Sequence, residues 1–352
     1  MRVLALTRYG TMAASTRQRF TQFFPHLAAN GIEAELAPLL SDDWVRAIGE
    51  GGGGARTTLL RAYAARLGRL LTARRYDLVW ISSELFPFLP GMFERLIRLS
   101  GRPYIVDYDD AIFHNYDSHG RPLVRRLLGR KLEPLLRGAA GVTCGNRYIQ
   151  AYAGRLCKDV PILPTVVDTA IYRPAPTRPS RPVTIGWIGS PTTWANVAPL
   201  LPVLLDRATA HGAAITVVGA GSQADGVEGI RNLRWQEELE VPHIQAMDIG
   251  IMPLIDLPFQ RGKCGYKLIQ YGACGLPVVA SPVGVNVEIV EEGRTGFLAT
   301  EPTQWATALD RLIGDPALRA RLGAAGRDRM VADYSLAAHR DTLLQAMRRA
   351  VQ

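Results

Sequence analysis

Along the chain, short apolar runs alternate with longer stretches in which apolar residues return every three or four positions. The runs read as buried parallel strands and the longer stretches as helices laid over them. In the first half the runs fall at Val3–Thr7, Glu33–Ala37, Leu78–Ser82, Tyr104–Asp107, Val142–Cys144 and Val160–Leu163. In the second they fall at Thr184–Ile188, Ile215–Val218, Ile249–Met252 and Val278–Ala280, and helical patterns run from Thr303 onward. This alternation predicts two α/β domains, each a doubly wound parallel sheet. Between them, Tyr172–Pro182 holds four prolines, which forbid helix interior and sheet centre alike. The expected organisation is an N-terminal domain over 1–172, a linker over 173–182, a C-terminal domain over 183–335, and a closing helix over 336–352 that packs back toward the first domain. Gly51–Gly54 reads as a surface loop.

Composition narrows the class. With 47% hydrophobic and 21% charged residues among 352, disorder and coiled coil are disfavoured. The longest apolar runs fall far short of the roughly 18–20 residues that span a bilayer, and the N-terminal residues read as a strand rather than a leader, so export is not expected. Cys144, Cys157, Cys264 and Cys274 form no CxxC pair and have no His at metal spacing, which predicts neither zinc nor disulfides and suits a reducing cytosol.

Net charge is +9, and the excess lies in residues 1–176, with 24 basic against 15 acidic side chains. Two segments dominate: Arg56–Arg75, with six arginines and no acid, and Arg121–Arg137, with Glu133 alone. Both read as helices. In the second, Leu123, Leu127, Leu128, Leu132, Leu135 and Leu136 define an apolar stripe, with Arg125, Arg126, Arg130 and Lys131 between them. Two readings stand open for it: a core-facing helix with a solvated cationic back, or contact with an anionic membrane surface or acceptor. No groove-reading motif accompanies the charge, which disfavours nucleic acid.

Ligands of open α/β sheets bind beyond the carboxyl ends of the strands, so the active site is expected between the two domains. Arg261, Gly262, Lys263 and Gly265 form a loop before a helix starting near Tyr266. Glycines let backbone N–H groups approach a phosphate, a helix N-terminus carries partial positive charge, and Lys263 and Lys267 add full charges one turn apart. Asp107, Asp109 and Asp110 cluster after a strand, with His114 beyond. In Gly10–Arg19, Ser15 is the expected N-cap of a helix with Arg17 and Arg19 in its first turn, where cations oppose the dipole unless an anionic ligand or water meets them. Gly219-Ala-Gly221 is not completed to GxGxxG, which disfavours an NAD-dependent oxidoreductase.

The segment Lys267-Leu-Ile-Gln-Tyr-Gly-Ala-Cys-Gly-Leu-Pro-Val-Val-Ala-Ser281, followed by Gly284-Val-Asn-Val-Glu-Ile-Val-Glu-Glu-Gly-Arg-Thr-Gly-Phe-Leu298, resembles the donor-binding region of family-4-type (group 1) retaining glycosyltransferases of the GT-B fold. Val167–Pro174, Gly186–Ser190 and the closing helices after Asp315 extend the resemblance over most of the chain. The resemblance implies two Rossmann-like domains facing across a cleft, with transfer of a sugar from a nucleoside-diphosphate sugar to a glycan, glycolipid or metabolite acceptor and retention at the anomeric carbon. It places the donor on the C-terminal domain and the acceptor mainly on the N-terminal one. No cofactor or metal ion is implied, since leaving-group charge is met by protein groups.

On these positions the expected catalytic residues are Asp109, Asp110, Lys263 and Lys267. Donor binding falls to Gly189, Ser190, Gln270, Val285, Asn286 and Glu288, and the acceptor or phosphate side to Ser15, Arg17 and His114. Two glutamates of the family pattern are replaced by Gly262 and Gln270, and its Arg and Lys are absent from Gly189–Ala195. Asp107-Tyr-Asp109 also mimics the DxD metal motif of GT-A enzymes; a metal site, an acceptor-base role for Asp109 or Asp110, and a structural turn stand side by side. A nucleotide-sugar epimerase and an inactive nucleotide- or partner-binding protein are the alternatives. The expected location is cytoplasmic, peripheral at the inner face of the membrane if the basic segments meet lipid.

Overall fold

The structure, a computed structural model, describes residues 1–44, 56–175 and 182–352. The Gly51–Gly54 loop and residues 176–181 of the proline-rich stretch lie outside the described residues. The chain divides into two units: Met1–Thr165 with Arg261–Cys264 and His339–Gln352, and Val166–Gln260 with Gly265–Ala338.

The first unit holds a five-stranded parallel sheet, β1 (Arg2–Tyr9), β2 (Glu33–Leu40), β3 (Leu78–Ser82), β4 (Tyr104–Tyr108) and β5 (Gly141–Cys144), in the order β2-β1-β3-β4-β5. Val3–Leu6 and Leu78–Ile81 are wholly buried because helices cover both faces, which is why these strands read as continuous apolar runs. Phe20 lies against Trp80 with ring centroids 4.1 Å apart. The edge strand β2 accommodates Pro38: Glu33 donates to Met1, so odd-numbered residues face β1 and the missing N–H of Pro38 falls on the open side.

The second unit carries β6 (Thr184–Ile188), β7 (Ala214–Val218), β8 (Ile230–Leu233), β9 (Ile249–Met252), β10 (Val278–Ala280) and β11 (Gly296–Leu298), all parallel, in the order β11-β10-β9-β6-β7-β8. This is the doubly wound dinucleotide-fold order, and strand order reverses between β6 and β9; in the first unit it reverses between β1 and β3. Trp187 and Trp194 pack edge to face at 5.5 Å in the core. Helices Pro302–Gly314, Pro316–Asp333 and Leu336–Ala350 close the chain.

Two expectations are corrected, and two strands are added. Val160–Leu163 is not a strand; only Ile162 bridges Cys144. β8 and β11 escaped the periodicity: β8 mixes Arg231 and Asn232 into a half-buried edge, and β11 is three residues long. The segment Arg121–Arg137 is not one amphipathic helix. It forms Pro122–Leu128, a break at Gly129, and Glu133–Leu136. Leu123 and Leu127 point to solvent, 66% and 62% exposed, while Lys131 is buried. Its ammonium lies 2.5 Å from Glu84 and 3.1 Å from Glu94, and donates also to the carbonyl of Phe86 at 2.8 Å. Burial, rather than a solvated cationic back, is the fate of this lysine.

Candidate functional site

In the second unit, the residues expected to hold a donor gather at the carboxyl edge of the sheet. Gly189 and Ser190 directly follow β6 and lead into the short helix Pro191–Trp194. A Cβ at Gly189 would come within 2.4 Å of the Trp187 ring, so that ring lies against the loop. The ammonium of Lys267 stands 5.6 Å from the same ring, a cation–π distance. Trp187 thus ties Lys267 to Gly189. Gly219, after β7, has φ +83, and a Cβ there would meet the Gly189 carbonyl at 2.3 Å; only glycine allows the two loops this approach.

Gly265, at φ +66, caps helix Tyr266–Ala273, and a Cβ on it would press on Ile289 at 2.2 Å and Val285 at 3.3 Å. Val285 and the four-residue helix Asn286–Ile289 therefore lie at the start of the helix carrying Lys267. The buried Asn286 side chain donates to the Ser281 carbonyl at 2.9 Å, fixing this loop, and Glu288 is exposed on it. Gln270 faces inward: it is 2% exposed and donates to Glu240 at 2.9 Å. Glu240 also accepts from Trp235 at 2.6 Å and from the Tyr172 hydroxyl. Sequence reasoning missed Glu240 because it approaches Gln270 from another helix.

In the first unit, β4 ends in the acidic run. Asp107 is buried and held by Arg19 through two bonds, Nε to Oδ2 at 2.9 Å and Nη2 to Oδ1 at 2.6 Å, with Thr143 donating at 2.5 Å. Arg19, which the sequence offers for an anionic ligand, is committed to this pair and to the Leu163 carbonyl at 2.7 Å. Asp109 and Asp110 follow, half-buried. Burial, then the charge of Asp110, pushes the Asp109 carboxyl up to about 7, with Arg19 opposing and Asp107 adding. Lys263 approaches Asp110 to 3.8 Å. The Cys264 thiol donates to the Asp109 carbonyl at 2.7 Å.

Asn146 caps helix Arg147–Ala153, accepting from Ile149 at 2.9 Å, and its amide nitrogen donates to the Gly262 carbonyl at 2.8 Å. A Cβ at Gly262 would lie 2.2 Å from that of Ala111, so the position where the family pattern carries a glutamate has no room for one. Asn146 was legible as an Asn before a helical stretch; its reach to Gly262, far along the chain, was not.

On the expected acceptor side, Ser15 is not the N-cap. Ala13 occupies that place in helix Ala14–Arg19 and makes no side-chain cap. Arg17 closes the preceding loop by donating to the Thr11 and Met12 carbonyls at 2.8 Å each. His114 is bracketed by Asp117 at Nδ1 and the Tyr148 hydroxyl at Nε2, both 2.8 Å away, and Phe113 lies beneath. The structure therefore brings Asp109, Asp110 and Lys263 together in one unit and Lys267, Gly189, Val285 and Asn286 together in the other. Among the described residues no cluster of three or more His, Cys, Asp or Glu is arranged to hold a metal ion, and no helix is long and apolar enough to cross a membrane.

Comparisons with known proteins bear on the family and the fold. Residues 15–167 match the model described as "Glycosyl transferase 4-like domain", and residues 182–315 match "Glycosyl transferases group 1". A D-inositol 3-phosphate glycosyltransferase of Stackebrandtia nassauensis is 34% identical over 131 residues, covering 37% of this chain and 28% of the relative. One from Corynebacterium jeikeium is 27% identical over 237 residues, covering 62% and 52%. The chain thus spans about half the length, or less, of these curated relatives. Among solved structures, sucrose-phosphate synthase of Thermosynechococcus elongatus superposes with a TM-score of 0.76 at 16% identity, over 99% of this chain and 98% of that one. Anabaena HepE in complex with UDP-glucose gives 0.75 at 16% identity, over 99% of each. With both units carrying doubly wound parallel sheets and both matched by family models, the chain belongs to the group 1 glycosyltransferases of the GT-B fold.

Proposed function

We propose that the protein transfers a sugar from a nucleoside-diphosphate sugar to a carbohydrate, lipid-linked or small-molecule acceptor, with retention of anomeric configuration. The observation that carries this reading is the gathering of Lys267, Gly189, Val285 and Asn286 at the carboxyl edge of the second sheet. A leaving diphosphate gains negative charge as the glycosidic bond breaks, and a lysine with nearby backbone N–H groups stabilises that charge. Lys263 stands beside Asp110 in the first unit, and no metal ion or other cofactor is needed to stabilise the leaving group. Asp109, whose carboxyl is pushed up to about 7 by burial and then by the charge of Asp110, takes the acceptor proton. Ser15, Arg17 and His114 line the acceptor side, with Glu288 and Ser190 at the donor. The four free, buried cysteines suit a cytoplasmic location.

Titration with UDP, GDP, ADP, CMP and dTDP, with and without Mg²⁺, tests the donor site. One nucleoside diphosphate should stabilise the fold without metal, and Lys267→Ala should weaken it by about 1.5–3 kcal/mol, the worth of a hydrogen bond to a charged group. Unchanged affinity removes Lys267 from the phosphate site. The crowding of Gly262 and the inward turn of Gln270 favour a second reading, a nucleotide-binding protein without catalysis. Tight nucleotide binding with no transfer from any donor to any acceptor would select it.

A further inference from the structure

A buried carboxylate stands behind the donor residues of the second unit. Glu240, 6% exposed at the start of helix Glu240–Gln245, receives four donors. Gln270 Nε2 at 2.9 Å, the Tyr172 hydroxyl and the Tyr266 hydroxyl at 3.4 Å meet its Oε1, and Trp235 Nε1 at 2.6 Å meets its Oε2. Burial, then the charge of Glu240, pushes the Tyr172 hydroxyl up, so that it stays protonated and donates. An ionised carboxylate only accepts. The Gln270 amide is therefore held with its nitrogen toward Glu240 and its oxygen turned away, since the reverse would set two oxygens against each other.

That oxygen is left over. Gln270 Oε1 accepts no hydrogen bond among the described residues, and it is not one of the polar atoms closed off from solvent. Both arms of the Glu240 contact end at the expected donor residues. Gln270 lies one turn past Lys267 on helix Tyr266–Ala273. Trp235 lies against Gly219: a Cβ on Gly219 would stand 3.3 Å from that of Trp235 and 2.3 Å from the Gly189 carbonyl.

We propose that Glu240 is a positioning residue of the donor site: by holding the nitrogen of Gln270, it presents the Gln270 oxygen to a ribose hydroxyl of the nucleotide. The proposal rests on the nucleoside-diphosphate reading above. With phosphate at Lys267, the group one turn deeper must be neutral and hydrogen-donating, because a lone amide oxygen suits a hydroxyl and repels a phosphate. The indole of Trp235, tied by its N–H to the same carboxylate, adds an aromatic plane suited to a base, which assigns the oxygen to the nucleoside end rather than to the transferred sugar.

The test is titration of the full chain with UDP, GDP and ADP, each beside its 2′-deoxy and 3′-deoxy analogues, and the readout is the ratio of affinities. The unaltered chain should bind the ribose form of its preferred nucleotide about tenfold more tightly than one of the deoxy analogues. Gln270→Leu removes the oxygen and Glu240→Gln frees the amide to turn, so each should bring the ratio close to one. A purely structural Glu240 would weaken both forms alike and leave the ratio unchanged. Glu240→Gln combined with Gln270→Glu restores one carboxylate and one amide in exchanged places and should recover the ratio; it also carries the test if Glu240→Gln alone folds poorly. Equal binding of ribose and deoxyribose forms by the unaltered chain, or a ratio kept in Glu240→Gln, overturns the proposal and leaves the donor reading standing. Absence of binding by every nucleoside diphosphate removes both.

Discussion

Beneath the carboxyl edge of the first sheet, charges are buried against one another: Arg19 with Asp107, and Lys131 with both Glu84 and Glu94. Beneath that of the second, glycines and aromatic rings meet, and the buried carboxylate Glu240 is held by the neutral donors Tyr172, Trp235 and Gln270. The two sheets share an architecture and differ in what fixes their loops. In the first unit, position is set electrostatically, so removing one partner leaves a stranded charge, and burial pushes the neighbouring Asp109 carboxyl up to about 7. In the second it is set by steric fit, so adding one methyl group is the disturbance that matters.

The largest expected effect breaks the electrostatic side. Lys131→Met should strand Glu84 and Glu94 and destabilise the fold by about 3–5 kcal/mol, read from urea unfolding; Glu94, already pushed upward by burial, would then take up a proton more readily. A loss under about 1 kcal/mol, as for a surface lysine, would show that the ammonium is solvated after all. On the steric side, Gly219→Ala should cost about 1–3 kcal/mol and weaken nucleoside-diphosphate binding, because the new Cβ must push the Gly189 loop aside. Equal stability and affinity would mean that the loop yields freely.

The next effect is a shift in pH rather than in stability alone. The Asp109 carboxyl stands at about 7 in the folded chain, above its unfolded value of about 4. The folded state therefore binds more protons, and stability contributed by this group is full below pH about 4 and declines as pH rises through about 7. Asp109→Asn should flatten that decline in unfolding curves taken across this range. Where transfer is measured, the basic limb of Asp109 should rise through pH about 7, and Asp110→Asn, by removing a like charge, should move it to lower pH. An unmoved profile excludes Asp109 as the base. The smallest change is expected at Ser15→Ala, below about 0.5 kcal/mol, since Ala13 and not Ser15 caps the helix; a loss near 1 kcal/mol would restore the cap reading.

How much could be read in advance depended on the range of the forces involved. The central strands of both units were legible because a strand covered on both faces is a run of apolar residues in the sequence itself. The edges were less so: β8, with Arg231 and Asn232, and the three-residue β11 lack that signal. The glycines and lysines at 262–267 and the acidic run at 107–110 stood out in the sequence as candidates for a site. Their partners did not show. The leucine spacing in Arg121–Arg137 gave Leu123 and Leu127 to the core and Lys131 to water, and the structure reverses both, because Gly129 ends the helix and a pair of distant glutamates receives the ammonium.

By itself, then, the sequence determined two parallel α/β units, the positions of most strands along the chain and the family to which the chain belongs, since burial periodicity and short motifs are properties of neighbouring residues. Tertiary structure alone decided that Arg19 serves Asp107, that Gln270 turns to Glu240, that Gly262 has no room for a side chain, and that two leucines face outward. Each of these depends on groups brought together from separate elements, where desolvation and steric exclusion act between residues that no local pattern connects.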